Sequence, residues 1–222
     1  MKLVAINLAR LTSLIQLSSW DPFGRTSTLD AIKTLASAFK FEVYPKSLPE
    51  INLAKGIEIL EGKMGDIVID KITVYANGIV IDTRSSTDNS EAVLTAILDL
   101  IHKALGAKID PMRQTYTSQF SFRSEMNLLA MQPSITKHIA NRLTERTSAD
   151  LKHPFIFQPT ALLIGADLSQ AKIPPSVFSI ERLAETPFSE NLYFSAAPLP
   201  TKEHIQVVEQ FEASLLDQQS HV

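Results

Sequence analysis

The polar run Asp82-Thr83-Arg84-Ser85-Ser86-Thr87-Asp88 holds the residues whose types and spacing could do chemistry, since it joins an apolar strand pattern to the start of an apolar-faced helix. Hydroxyls and free amides at a helix start can cradle a phosphate or carboxylate, and a guanidinium beside them supplies a bidentate fork. Asp82, Arg84, Ser85 and Ser86 are therefore the candidate residues for a small anionic ligand, in a sensor or an enzyme. A structural use competes for the same run. Asp88 with Glu91 three residues later spells a capping box, and serine and threonine are ordinary turn residues.

The segment Ile81-Asp82-Thr83-Arg84-Ser85-Ser86 is similar to the aspartic protease signature, in which two apolar residues precede Asp-Thr-Gly-Ser. Arg84 stands where that family has glycine. The glycine permits the tight turn that lets two carboxylates share a proton, whereas an arginine blocks the turn and favours the ionised carboxylate. The second copy that the resemblance requires is also missing, Gly165-Ala166-Asp167-Leu168 being a poor stand-in. The five histidines, at 102, 138, 153, 204 and 221, include no pair at i, i+4 and no His-Glu-x-x-His. Glycine-rich phosphate loops and Gly-x-Ser-x-Gly are likewise missing from the sequence. No cofactor, metal or catalytic residue is expected.

A second unusual stretch is Thr186-Pro187-Phe188-Ser189-Glu190-Asn191-Leu192-Tyr193-Phe194-Ser195. Three aromatics so close together suit either a buried crossing or an aromatic anchor at an interface. Phe188, Tyr193 and Phe194 are the candidate partner-binding residues.

Composition narrows the classes. With 222 residues and 45% apolar content, the chain can bury one substantial core or two small ones. A net charge of -3, from 21 basic and 24 acidic residues spread along the length, disfavours nucleic acid as the partner. There are no cysteines, which excludes disulfides, thiolate metal sites and a cysteine nucleophile. Asn7 and Arg10 interrupt the apolar stretch that a signal peptide would need, and no run reaches the roughly 18 apolar residues of a membrane span. A cytoplasmic location without a membrane role is the expectation.

Residues 3 to 17 fit both a helical and a strand face, and the strand is favoured for the first part, up to the breaker Asp21-Pro22-Phe23-Gly24. Ser27, with Asp30 three residues on, caps a helix whose stripe is Ile32, Leu35, Ala36 and Phe39. A three-stranded antiparallel meander follows, from Gly56 to Asp82. Within it Asn77-Gly78 predicts a type I′ hairpin with Ala76 opposite Ile79. That pairing places Ile72, Val74, Ile79 and Ile81 on the core face, with Lys71, Thr73, Tyr75, Val80, Asp82 and Arg84 on a mixed face. A helix then runs to about Leu105, stopped by Gly106. The second half predicts a strand at Tyr116 to Phe122 and a helix at Pro133 to Arg146 lined by Ile135, Ile139 and Leu143. Beyond these come an apolar run at Phe155 to Ile164, a strand at Val177 to Leu183, an irregular stretch from Pro187 to Pro200, and a last helix from Pro200-Thr201.

The fold class is therefore α+β, an antiparallel sheet with helices packed on one face. Both halves, 1–108 and 109–222, follow the order strand, helix, antiparallel strands, helix, which suggests two pseudo-repeats sharing one continuous sheet. Such a layout resembles, at fold level, the TATA-binding-protein-like and helix-grip domains, and fold alone does not carry function. The expected function is non-enzymatic protein binding, as a scaffold or accessory subunit in an oligomer or larger complex. The alternative is a small anionic-ligand sensor or enzyme with its site near Arg84.

Overall fold

In the computed structural model the described residues are 1–15, 27–105, 109, 111–130, 133–147, 155–167, 169 and 175–220. They build β1 (Lys2–Leu14), α1 (Thr28–Ala38), β2 (Ile57–Met64), β3 (Ile67–Tyr75), β4 (Gly78–Thr83) and α2 (Thr87–Leu105). The order continues with β5 (Arg113–Arg123), α3 (Pro133–Thr147), β6 (Ala161–Ile164), β7 (Phe178–Arg182), β8 (Leu192–Ala197) and α4 (Thr201–Ser220). The strands form one eight-stranded antiparallel sheet in the order β2-β3-β4-β1-β5-β8-β7-β6, so the class is α+β as predicted. The breaker at Asp21 to Gly24 and the stop at Gly106 lie outside the described residues.

The ambiguous first segment is a strand. β1 runs antiparallel to β4, with Ala9 opposite Thr83 and Leu14 opposite Gly78. Its buried side is Ala9, Leu11, Ser13 and then Ile15, while Val4 on the other parity is exposed. Burial on one side of a sheet thus chose between the two periodicities.

The β3–β4 hairpin departs from its predicted register. Tyr75 stands opposite Gly78, Val74 opposite Ile79 and Ile72 opposite Ile81, so each partner is displaced by two residues. Neither Asn77 nor Gly78 takes the positive φ that a type I′ turn demands. A displacement of two keeps every side chain on its own face, and Ile72, Val74, Ile79 and Ile81 are all buried as the alternation predicts. Gly78 serves the neighbouring strand instead. A Cβ there would lie 2.7 Å from the Ser13 carbonyl oxygen of β1.

By compactness the chain forms two units whose segments interleave: Ile6–Gln119 with Ala197–Ile205, and Met1–Ala5 with Phe120–Ala196 and Gln206–Val222. In the first unit Leu11, Ile57, Ile59, Ile72, Ile79 and Ile81 of the sheet meet Ile32, Leu35 and Phe39 of α1 and Val93 and Ile97 of α2. Ser27 caps α1 by accepting from the Asp30 amide at 3.1 Å, as its sequence predicts. In the second unit the Phe122 ring stacks on Tyr193 at 5.5 Å between centroids, and Phe120 lies 5.6 Å from Phe122. The stretch predicted as irregular contains β8. Its residues Tyr193, Ser195 and Ala197 are buried while Leu192, Phe194 and Ala196 are half-buried, a period-two signal that the surrounding prolines mask.

Gly78→Ala should destabilise the fold by ~1–3 kcal/mol, because the added methyl meets a strand backbone that cannot yield without breaking the β1–β4 ladder. Urea denaturation of the variant beside the parent measures it; a loss below ~0.5 kcal/mol would show that β1 sits less tightly on β4.

Candidate functional site

Cross-strand pairing decides the fate of the first candidate set. Arg10 on β1 is the register partner of Asp82 on β4. Its Nε and Nη2 donate to the two carboxylate oxygens at 2.7 and 2.8 Å, a bidentate pair. Asp82 is 5% exposed, so the fork takes the place of water around its carboxylate. The hydrogen bonds to Asp82 raise the Arg10 pKa, burial works against them, and the charges of Asp82 and Tyr75 add to the rise. Arg10 escapes a sequence reading because it lies 72 residues from Asp82. Only the assignment of β1 as the strand beside β4 brings the two together.

Arg84 turns elsewhere. Its Nε donates to Asp70 Oδ2 at 2.6 Å on the exposed side of β3. The guanidinium and carboxylate that the sequence sets two positions apart therefore have separate partners. Ser85 Oγ accepts from the Asn89 side chain at 2.8 Å, and Ser86 Oγ accepts from the Asn89 amide at 3.2 Å. The cap of α2 is thus Ser86 and not Asp88, which falls inside the first turn. Glu91, assigned to the capping box by sequence, instead accepts from the Tyr116 hydroxyl at 2.5 Å. That bond, followed by burial and the charges of Glu91, Asp88 and Glu203, pushes the Tyr116 pKa up to about 12.

The starts of α2 and α4 cap each other. The Thr87 amide donates to Thr201 Oγ1 at 3.1 Å, and the Thr201 amide donates to Thr87 Oγ1 at 2.9 Å, across 114 residues of sequence. One turn further along, Ser90 and His204 repeat the spacing. Ser90 Oγ donates to the Ala9 carbonyl at 2.9 Å. His204 Nδ1 lies 2.7 Å from Ser118 Oγ, which donates to the Leu199 carbonyl at 2.9 Å. With its proton committed to that carbonyl, Ser118 accepts from Nδ1–H. The histidine therefore cannot draw a proton from the serine, and both side chains are fully buried. This Ser-His contact is structural, and burial lowers the His204 pKa to about 4.

Among the second candidates, Tyr193 is fully buried, and its hydroxyl accepts from the Leu128 amide at 3.1 Å. Its ring is committed to packing. Phe194 is half-buried on β8 opposite Glu181. Phe188 is half-buried and forms one wall of a cleft of about 580 Å³, lined also by Asn127, Ile156, Gln158, Pro187, Ser189 and Asn191. Arg182 supports this cleft: its Nη1 donates to the Phe188 carbonyl at 3.0 Å and its Nη2 to Gln158 Oε1 at 3.2 Å. The guanidinium lies 4.6 Å from the Phe188 ring centre and 5.4 Å from that of Tyr193, while its Nε is buried with no hydrogen-bond partner among the described residues. In the same unit Glu212 pairs with the Met1 ammonium and accepts from Ser124 Oγ. Burial raises the Glu212 pKa, but these hydrogen bonds outweigh it and the net direction is down.

The other feature of this unit is an open sheet edge. β6 pairs with β7, Leu163 opposite Ser179 and Ile164 opposite Phe178, and no strand among the described residues pairs with its outer side. Leu163 and Ile164, on opposite faces, are 63% and 58% exposed. The corresponding edge of β2 is covered, since Val43 exchanges hydrogen bonds with Leu60 and the Phe39 carbonyl accepts from the Lys63 amide at 2.6 Å. No protein-family model matches the sequence, and no curated protein shows detectable similarity to it. Among the described residues no helix is long and apolar enough to cross a membrane.

Two substitutions separate these arrangements. Arg10→Ala leaves the Asp82 carboxylate without its fork. Because Arg10 is 38% exposed, the loss should be about 2 kcal/mol rather than the ~3–5 kcal/mol of fully buried pairs. The double variant Arg10→Met/Asp82→Leu should recover most of it in urea denaturation, and an exposed Arg84→Ala should cost less than ~1 kcal/mol. His204 acts through pH. Its unfolded pKa of 6.5 exceeds the folded value of about 4, so the unfolded chain binds the extra proton between them. Its contribution is complete above pH 6.5 and is lost as the pH falls toward 4, by about 3 kcal/mol at most. In thermal unfolding across that range, His204→Gln should flatten the decline of Tm; an unchanged slope would assign the acid sensitivity to other groups.

Proposed function

We propose that this chain is a non-enzymatic scaffold or accessory subunit, built of two related halves, that works as a homo-oligomer joined through β6. The open edge of β6 carries the reading. A strand whose outer side no described strand pairs, with Leu163 and Ile164 exposed, is a template for another strand, and monomeric proteins commonly blunt such edges with charge, proline or a covering segment. β6 bears no charged residue and no proline. Antiparallel pairing of β6 with β6 of a second copy is isologous, so it closes into a dimer and leaves no further edge at that end.

Other observations support it. The polar groups that looked chemical are satisfied internally: Asp82 holds Arg10, Arg84 holds Asp70, and Ser118 with His204 is fully buried. The duplication is supported by the order strand, helix, three strands, helix occurring twice, by the strand order 2-3-4-1 followed by 5-8-7-6, and by the mutual Thr87–Thr201 caps. A small-ligand function keeps one observation in its favour, although away from Arg84. The cleft beside Phe188, at about 580 Å³, falls within the size range of small-molecule sites.

Sedimentation velocity over a hundredfold concentration range tests the proposal. The parent should pass from 24.6 kDa monomer toward dimer, and Leu163→Lys should stay monomeric with little change in Tm because the side chain is exposed. A parent that remains monomeric throughout would overturn self-association through β6.

A further inference from the structure

Helix α3 leaves part of its apolar surface exposed. Among its described side chains the more buried are small: Thr136, Ala140 and Thr144, one line at i, i+4, i+8, are half-buried, and Thr144 Oγ1 donates to the Phe155 carbonyl at 3.2 Å. Beside that line, Ile139 is 55% and Leu143 42% exposed. A surface helix ordinarily buries its apolar stripe, so an outward stripe marks a face that something else covers. Arg142 and Arg146 lie on the same face, since 139, 142, 143 and 146 follow helical spacing. Arg142 reaches only Glu145, in an exposed pair at 3.4 Å, and Arg146 meets no carboxylate within ion-pair range among the described residues.

The apolar surface continues past the helix. Phe155, tied to Thr144, is 60% exposed and Ile156 is 71% exposed. Ile156 in turn lines the cleft walled by Phe188. Exposed apolar residues thus stand on α3, in the segment that follows it and at the rim of the Phe188 cleft, with Arg142 and Arg146 beside the apolar pair of α3.

We propose that α3 with this cleft binds an acidic, amphipathic helical segment of a partner protein, its carboxylates on Arg142 and Arg146 and an apolar side chain in the Phe188 cleft. Charge complementarity selects this occupant. A second copy of α3 laid antiparallel would set arginines against arginines, with only Glu145 to offset them, and like charges across a helix pair are unfavourable. The two-residue ridge Ile139–Leu143 fits the groove of a facing helix, and arginine and aromatic anchors are the residues that dominate interface energetics. The proposal rests on the protein-binding reading above but uses a different surface from the β6 edge.

The test uses the full chain and a synthetic eighteen-residue helical peptide with leucine at i, i+3, i+4 and i+7, one tryptophan, and glutamate elsewhere on the flanks; a control peptide carries lysine for glutamate. Fluorescence anisotropy should show the glutamate peptide binding at least tenfold tighter than the lysine peptide, the preference weakening with salt. Arg142→Glu/Arg146→Glu and, separately, Ile139→Ala/Leu143→Ala should each weaken binding tenfold or more at unchanged Tm. Equal binding of the two peptides, or binding untouched by both double variants, overturns the proposal. Binding to vesicles of anionic phospholipid that requires the same arginines, with no peptide binding, replaces it by a membrane-surface role. The monomeric Leu163→Lys variant should retain peptide binding. Loss of self-association alone therefore counts against β6, and loss of peptide binding alone counts against α3.

Discussion

The pairing of β1 with β4 is the constraint on which the first unit depends. The two strands are separated by an intervening helix and two strands, so their contact closes a long loop and must be fixed by strong local features. Two features fix it. Gly78 lets the backbones approach where any side chain would strike the Ser13 carbonyl, and the Arg10–Asp82 fork locks opposite residues together. A slip of one residue would break the fork and turn Leu11, a fully buried residue, away from the core that α1 and α2 cover. A bidentate pair at the rim of a core contributes more to register than to net stability, because its desolvation cost offsets most of its Coulomb gain.

The start of α2 is bound to the same strand pair. Ser90 reaches the Ala9 carbonyl on β1, and Thr83 at the end of β4 contacts Ser90 Oγ at 3.1 Å. Thr87 then meets Thr201, so each helix start satisfies an amide that would otherwise be buried without a partner. Mutual capping removes the orphan amides without any charge. At the place where the sequence suggested an anion, the Ser86 hydroxyl accepts from the Asn89 amide and the Thr201 hydroxyl from the Thr87 amide. The buried His204 extends this arrangement to β5, and its neutrality follows from the same exclusion of water.

How much of this the sequence discloses depends on range. The α1 cap at Ser27, the α1 stripe and the buried isoleucines of β3 and β4 were legible because each is set within a few residues. The hairpin was legible in its faces and illegible in its turn, since Gly78 answers a demand from β1 and not from the turn itself. β8 was hidden by flanking prolines and by a short alternation of mixed residue types. Asp82 was legible as an acid on the mixed face of a strand, but neither its burial nor its partner Arg10 was, because nothing local to residue 10 distinguishes it from any other strand arginine. Tyr193 looked like an anchor by composition, and only the placement of Phe122 and Leu128 shows that its ring and hydroxyl are already used.

The contrast between α1 and α3 carries the functional argument furthest. α1 follows β1 and α3 follows β5, yet α1 buries Ile32, Leu35 and Ala36 while α3 exposes Ile139 and Leu143. Propensity does not explain the difference, since both sequences suit a helix and both carry apolar residues at helical spacing. Packing does. Among the described side chains of α3 only Thr136, Ala140 and Thr144 are half-buried, so these gain little from hydrophobic burial, at roughly 25 cal/mol per Å² of apolar surface removed from water, and Ile139 and Leu143 remain exposed. Arg142 and Arg146 beside those residues disfavour pairing of the face with itself, and under the proposed binding role the residues that forgo stability within the chain would serve a partner of opposite charge.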